Sequence, residues 1–253
     1  MNRSIWCERG GTGGPVLVFL HGMGANGAVW EGCRPLLAAR WPGRWIVPDL
    51  RGHGRSFHAP PYGFGVYAAD VAELLGPEDE AIVVGHSMGG VVALALATGM
   101  FGVCVRRAVA FSVKVGWTDD DHAKAEAVAR APVRLFDTRE EAIERYLRVS
   151  GLKGIVDPGT PAAATGVRET EGKFCLAADP LTNRVGWTDF GALGGMVKVP
   201  LRLLCGERDA NARPEAMRRL GSEVTVLPGL GHNPHVEAPE IFWRAIEGDL
   251  QRS

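Results

Sequence analysis

Two glycine-framed turns carry residues suited to chemistry, and they point to different reactions. Gly85-His-Ser87-Met-Gly89, followed by Gly90, fits G-x-S-x-G, a serine on a sharp strand-to-helix turn. A serine hydroxyl is a poor nucleophile at neutral pH, so it needs a base, and the base needs an orienting acid. In the order serine, acid, histidine, the candidates are Ser87, Asp209 of Gly206-Glu-Arg-Asp209, and His232 of Gly229-Leu-Gly-His232. Glu207, at the same turn, is the nearest competitor to Asp209. The second turn, Gly22-Met-Gly24-Ala-Asn-Gly27, fits the dinucleotide-binding fingerprint. Asp49 stands at the end of the next apolar run, where a ribose hydroxyl calls for an acid. On that segment alone the chain would be a nicotinamide-dependent oxidoreductase.

The elements around these turns decide between the two. Val16–Leu20, Trp45–Val47 and Ala81–Val84 are apolar at every position, as suits parallel strands buried on both faces. Helix-length segments lie between them, at about 28–40, 65–75 and 88–100. Arg106–Ser112, Leu201–Cys205 and Val224–Leu227 read as further strands, with helices from about Pro214 and from Pro239 to Leu250. This alternation predicts an α/β fold with a doubly wound, mostly parallel sheet and helices on both faces. Ser87, Asp209 and His232 each follow a strand, so all three reach the carboxyl edge where open α/β sheets bind ligands.

The alternation stops from 113 to 198. Two helices are expected there, Asp119–Ala131 and Arg139–Val149, the second with a Thr138/Glu141 capping box. The stretch 151–195 is rich in Gly, Pro and Thr, and reads as mostly irregular, a loose and mobile cap. The domain reading is therefore a core of 1–112 and 199–253 interrupted by an inserted, partly helical cap or lid, 113–198, that is not an independent domain.

Composition narrows the partners. The 253 residues carry a net charge of −1 and no run of Lys and Arg, which argues against nucleic acid as a partner. No apolar stretch approaches the ~20 residues of a membrane span, and the N-terminus lacks a signal-peptide core. Five dispersed cysteines without a C-x-x-C pair suit reduced thiols, and the expected location is cytoplasmic. No metal-ligand spacing is present. Oligomeric state is not legible.

In His21-Gly-Met-Gly24, Asp49-Leu-Arg-Gly-His-Gly-Arg-Ser56, Gly85–Gly90, Gly206–Asp209 and Gly229–Pro239, taken in that order, the chain resembles the α/β-hydrolase family. The likeness runs from about residue 15 to the C-terminus and leaves the insertion unmatched. It implies Ser87 as nucleophile, His232 as general base and then acid, and Asp209 as orienting acid. It also implies that backbone amides of Met23 and Met88 form the oxyanion hole, and that Asp49 begins a structural segment. The activity implied is a serine hydrolase cleaving a carboxylic ester or related acyl compound (thioester, lactone) through an acyl-enzyme on Ser87, with a small-molecule acyl substrate and no cofactor or metal. The same triad also serves C–C bond hydrolases, perhydrolases and lyases, and some relatives are small-ligand receptors with slow hydrolysis. Trp30, Phe111, Trp117, Phe136, Tyr146 and Trp187 are candidates for lining an acyl pocket. His53, His86 and His235 read as scaffold.

Overall fold

The computed structural model describes residues 3–185 and 188–251. Its nine strands are β1 (Cys7–Gly10), β2 (Val16–Leu20), β3 (Trp45–Pro48), β4 (Glu80–His86), β5 (Cys104–Phe111), β6 (Val167–Thr170), β7 (Lys173–Leu176), β8 (Leu201–Gly206) and β9 (Val224–Leu227). The helices are α1 (Arg34–Arg40), α2 (Phe64–Ala72), α3 (Met88–Leu96), α4 (Asp119–Arg130), α5 (Arg139–Val149), α6 (Pro161–Thr165), α7 (Phe190–Met196), α8 (Pro214–Met217), α9 (Pro234–Glu237) and α10 (Pro239–Gln251). Seven strands form one sheet in the order β1-β3-β2-β4-β5-β8-β9. Every pairing in it is parallel except that of β1, which runs antiparallel to β3 at one edge. The α/β architecture is as the sequence pattern implies.

The apolar runs are buried on both faces because successive strand side chains point to opposite sides. Leu17, Phe19, Ile82, Val84 and Phe111 enter one core with Trp30, Phe242 and Trp243 from the helices. Val16, Val18, Leu20, Ala81 and Val83 enter the other with Tyr67 and Val92. Helix α3 is buried along its whole length, as a helix apolar all round must be.

Three departures from the sequence reading have local causes. The segment 28–40 is not one helix: a tight 3-10 turn, Gly27–Cys33, gives way to α1, where Pro35 has no amide to continue the earlier hydrogen bonds. Edge strand β1 is short and polar enough to carry no apolar signal. The stretch 151–195 is not mostly irregular: it contains α6, α7 and the antiparallel β6–β7 hairpin. That hairpin is tied into its surroundings, since Gly54 N donates to Ala177 O at 2.6 Å and Asp179 N to Gly52 O at 2.8 Å. Phe136 and Phe174 also pair as an isolated antiparallel bridge. The Thr138/Glu141 capping box forms, and so does a second at Thr118/Asp121. The strands of the large sheet come from 7–111 and 201–227.

Candidate active site

Ser87 sits between β4 and α3 with φ +50° and ψ −113°, a conformation that costs a non-glycine residue of order 1–3 kcal/mol. The turn is held from both sides. Ser87 N donates to Phe111 O at 2.9 Å, and Ser87 O accepts from Gly90 N at 3.0 Å. Its tightness explains two glycines: a Cβ at Gly85 would lie 2.1 Å from Gly89 O, and one at Gly89 would lie 2.5 Å from Leu20 O. Met88 is the first residue of α3, so its amide is among the first-turn donors that the helix itself leaves unused.

His232 and Asp209 meet across the ends of β9 and β8. His232 Nδ1–H donates to Asp209 Oδ2 at 2.9 Å and Oδ1 at 3.0 Å, which leaves Nε2 as the acceptor nitrogen. The Asp209 side chain is fully buried and His232 is 23% exposed. Burial pushes the Asp209 pKa up, but the His232 hydrogen bond and charge, with the Asn211 amide, outweigh it and hold the carboxyl below its usual value. Glu207, the rival acid, is engaged elsewhere and accepts from Gly229 N at 2.8 Å.

Several further groups fix the His232 loop. His86 Nε2–H donates to His232 O at 2.8 Å, and Asn233 Nδ2 donates to Gly151 O at 3.1 Å, tying the loop to the end of α5. Glu237 brackets the histidine, because its two oxygens accept from Gly231 N at 2.7 Å and Asn233 N at 2.9 Å. Sequence reasoning missed this bracket; the available signal was an acid closing a short helix just after a glycine turn. His21 serves the facing loop: its Nδ1–H donates to Gly22 O at 2.8 Å, and its Nε2 accepts from Leu50 N at 2.9 Å. His235, fully buried, packs with its ring centroid 4.4 Å from that of Trp30.

Ser87 and His232 open into one cavity of about 800 Å³, together with Gly22, Met23 and Asn233. Among the described residues Ser87 makes no side-chain hydrogen bond to His232, and the shared cavity wall is what brings them together. Of the aromatic candidates, Trp117 and Phe136 line this cavity. Trp30, Phe111 and Tyr146 do not: they are core residues, 0–1% exposed. The Trp30 and Phe111 rings close around one another and His235, and the Tyr146 hydroxyl accepts from Asn26 Nδ2 at 2.9 Å. Trp187 lies outside the described residues.

The dinucleotide reading fails at Asp49. This carboxylate is fully buried and already accepts from Gly27 N at 2.7 Å, Arg55 N at 2.9 Å and Arg55 Nε at 2.7 Å. It has no free oxygen to offer a ribose. Among the described residues no cluster of three or more His, Cys, Asp or Glu is arranged to hold a metal ion. Nor is any of their helices long and apolar enough to cross a membrane.

A mostly parallel sheet carries a strained serine after its central strand, on one cavity with a carboxylate-bound histidine, and the fold is that of the α/β hydrolases. The alpha/beta hydrolase family model matches residues 17–245, and the chain belongs to that family and is a hydrolase. Curated relatives agree. The chain is 29% identical over 254 residues to a pimeloyl-(acyl-carrier protein) methyl ester esterase of Chromobacterium violaceum, covering 94% of this chain and 95% of that one. It is 26% identical over 249 residues to an sn-1-specific diacylglycerol lipase, ABHD11, of Mus musculus, covering 93% and 81%. In fold it is similar to the crystal structure of an E-2-(acetamidomethylene)succinate hydrolase, with a TM-score of 0.81 at 24% identity, covering 98% and 95%.

Proposed function

We propose that the protein is a serine hydrolase of carboxylic esters or closely related acyl compounds, working through an acyl-enzyme on Ser87. The observation that carries this reading is the convergence of Ser87 and the Asp209-bound His232 on one cavity. His232 Nε2 takes the Ser87 proton as Oγ attacks the carbonyl carbon, and Asp209 stabilises the imidazolium that forms. The amides of Met23 and Met88 receive the negative oxygen, an interaction typically worth ~2.7–4 kcal/mol per donor. The tetrahedral intermediate collapses, His232 returns the proton to the leaving alcohol, and water repeats the sequence on the acyl-enzyme. The ester-cleaving relatives support a carboxylic ester over a carbon–carbon bond as the scissile group. Residues 113–198 form the cap that shapes the pocket over the 1–112 and 199–253 core.

Replacing Ser87 by Ala tests the reading. Turnover of an activated ester should fall by a factor on the order of 10⁴ or more, because members of a triad act as a unit. A fluorophosphonate should phosphonylate Ser87 Oγ with loss of fluoride, adding the reagent's mass less HF to the native chain and not to the variant. Near-native turnover in Ser87→Ala would remove Ser87 from the mechanism.

A further inference from the structure

The cavity wall is largely apolar, but the charges on it are unbalanced. Four charged residues line it: Lys114, Arg134, Arg145 and Asp179. Lys114 is paired with Asp121 and lies 5.0 Å from the Trp117 ring centroid. Asp179 accepts from the Tyr62 hydroxyl at 2.7 Å and from Leu181 N at 2.9 Å. Arg134 and Arg145 have no such partners: among the described residues neither makes an ion pair. The carboxylates of the adjoining cleft, which both arginines also line, are engaged elsewhere. Asp137 pairs with Lys173, Glu141 caps Thr138, and Glu144 pairs with Arg148 and Lys153.

Arg145 is half-buried and stands one helical turn before Val149, so both enter the cavity from one stripe of α5. The Arg134 guanidinium lies over the Phe136 ring at 4.9 Å, a stacking that leaves its in-plane N–H donors unoccupied. Guanidinium groups without counter-ions, Arg145 half-buried and Arg134 exposed, have the donors to take a planar or tetrahedral oxyanion bidentately.

We infer that Arg145, with Arg134 at the mouth, is a subsite for an anionic group, carboxylate or phosphate, carried by the substrate whose acyl carbonyl is presented to Ser87. Where that carbonyl sits rests on the serine-hydrolase reading; the anion subsite rests on the arginines themselves. Val128, Val133 and Val149 line the same cavity, so an aliphatic segment between carbonyl and anion suits it. The anion has two possible sources: the far end of the acyl chain, as in the half-ester of a dicarboxylic acid, or a phosphate on the alcohol.

The test compares kcat/KM on three esters of matched length: a neutral acyl ester, a dicarboxylic half-ester, and an acyl ester of an alcohol phosphate. The native protein should prefer one anionic ester over the neutral one by about tenfold or more, since a site with polar groups left unpaired discriminates against the uncharged analogue. That ratio should fall toward one in Arg145→Met, which keeps the aliphatic stem, and shrink in high salt. The preferred anionic ester identifies the source. No preference for either, or a ratio that Arg145→Met leaves unchanged, overturns the subsite while the hydrolase reading stands. If no ester is turned over, the hydrolase reading fails and the subsite is judged by calorimetric binding of adipate and inorganic phosphate to the native protein and to Arg145→Met. Binding weakened about tenfold in the variant supports it; no binding, or equal binding, overturns it.

Discussion

His232 is held by neighbours that do no chemistry themselves, and Glu237 is the most exacting of them. Its carboxylate accepts amide hydrogens from both residues that flank the histidine, 2.7 Å from Gly231 N and 2.9 Å from Asn233 N. Only a carboxylate can accept with both oxygens. The amide of Gln offers one oxygen and turns an N–H₂ toward the second backbone N–H, which two donors cannot satisfy. Glu237→Gln should therefore let the loop relax and move Nε2 relative to the Ser87 hydroxyl. Small displacements of reacting groups are costly, so kcat on an ester should drop roughly ten- to a hundredfold. KM should stay close to native, because Glu237 does not line the cavity. A Gln variant with native kcat would show that the bracket is dispensable.

The elements that carry these residues differ in how plainly the sequence announces them. The β6–β7 hairpin is only four residues a side, with Glu169 and Lys173 exposed, so neither strand shows apolar alternation. Its order comes from tertiary bonds: Phe174 N donates to Phe136 O at 3.0 Å, Ala177 N to Gly166 O at 2.8 Å, and Asp179 N to Gly52 O at 2.8 Å. Amide exchange at Phe174, Ala177 and Asp179 should accordingly be much slower than across 153–160, whose residues are mostly exposed. Equal rates across 151–195 would return the segment to the mobile cap that its composition suggests. The same distinction explains what was legible. Strands β2, β4 and β8 are buried on both faces, so local apolarity marks them, and the turns after β4, β8 and β9 place Ser87, Asp209 and His232 by order alone. Trp30, Phe111 and Tyr146 were misread because a large aromatic looks the same in sequence whether it walls a pocket or fills a core. Arg134 and Arg145 were invisible for a related reason: an unpaired charge is defined by where its neighbours point.

At the scale of the whole molecule, four buried histidines couple stability to acid. His21, His53, His86 and His235 are all 0–4% exposed, and burial lowers the pKa of each, to about 3 for His53 and His235. In the unfolded chain each titrates near 6.5. Below that pH the unfolded state binds protons that the native state refuses, so stability falls as pH falls, by up to about 1.4 kcal/mol per pH unit for each such group. Asp209 acts in the same direction at lower pH: its depressed pKa contributes stability above the ordinary carboxylate range that is lost as pH drops through the native value. The urea midpoint should thus decline steadily from pH 7 to pH 5, before the carboxylates titrate. His235 offers the cleanest dissection. Its ring is enclosed by Trp30, Phe111, Phe242 and His86, and neither nitrogen has a protein partner among the described residues. Phe of similar shape suits that enclosure and cannot titrate. His235→Phe should match or exceed native stability at pH 7.5 and lose less on going to pH 5, the difference approaching about 2 kcal/mol. A variant whose midpoint falls as steeply as the native protein's would assign the acid response to other groups, with His53 and His86 the next to replace.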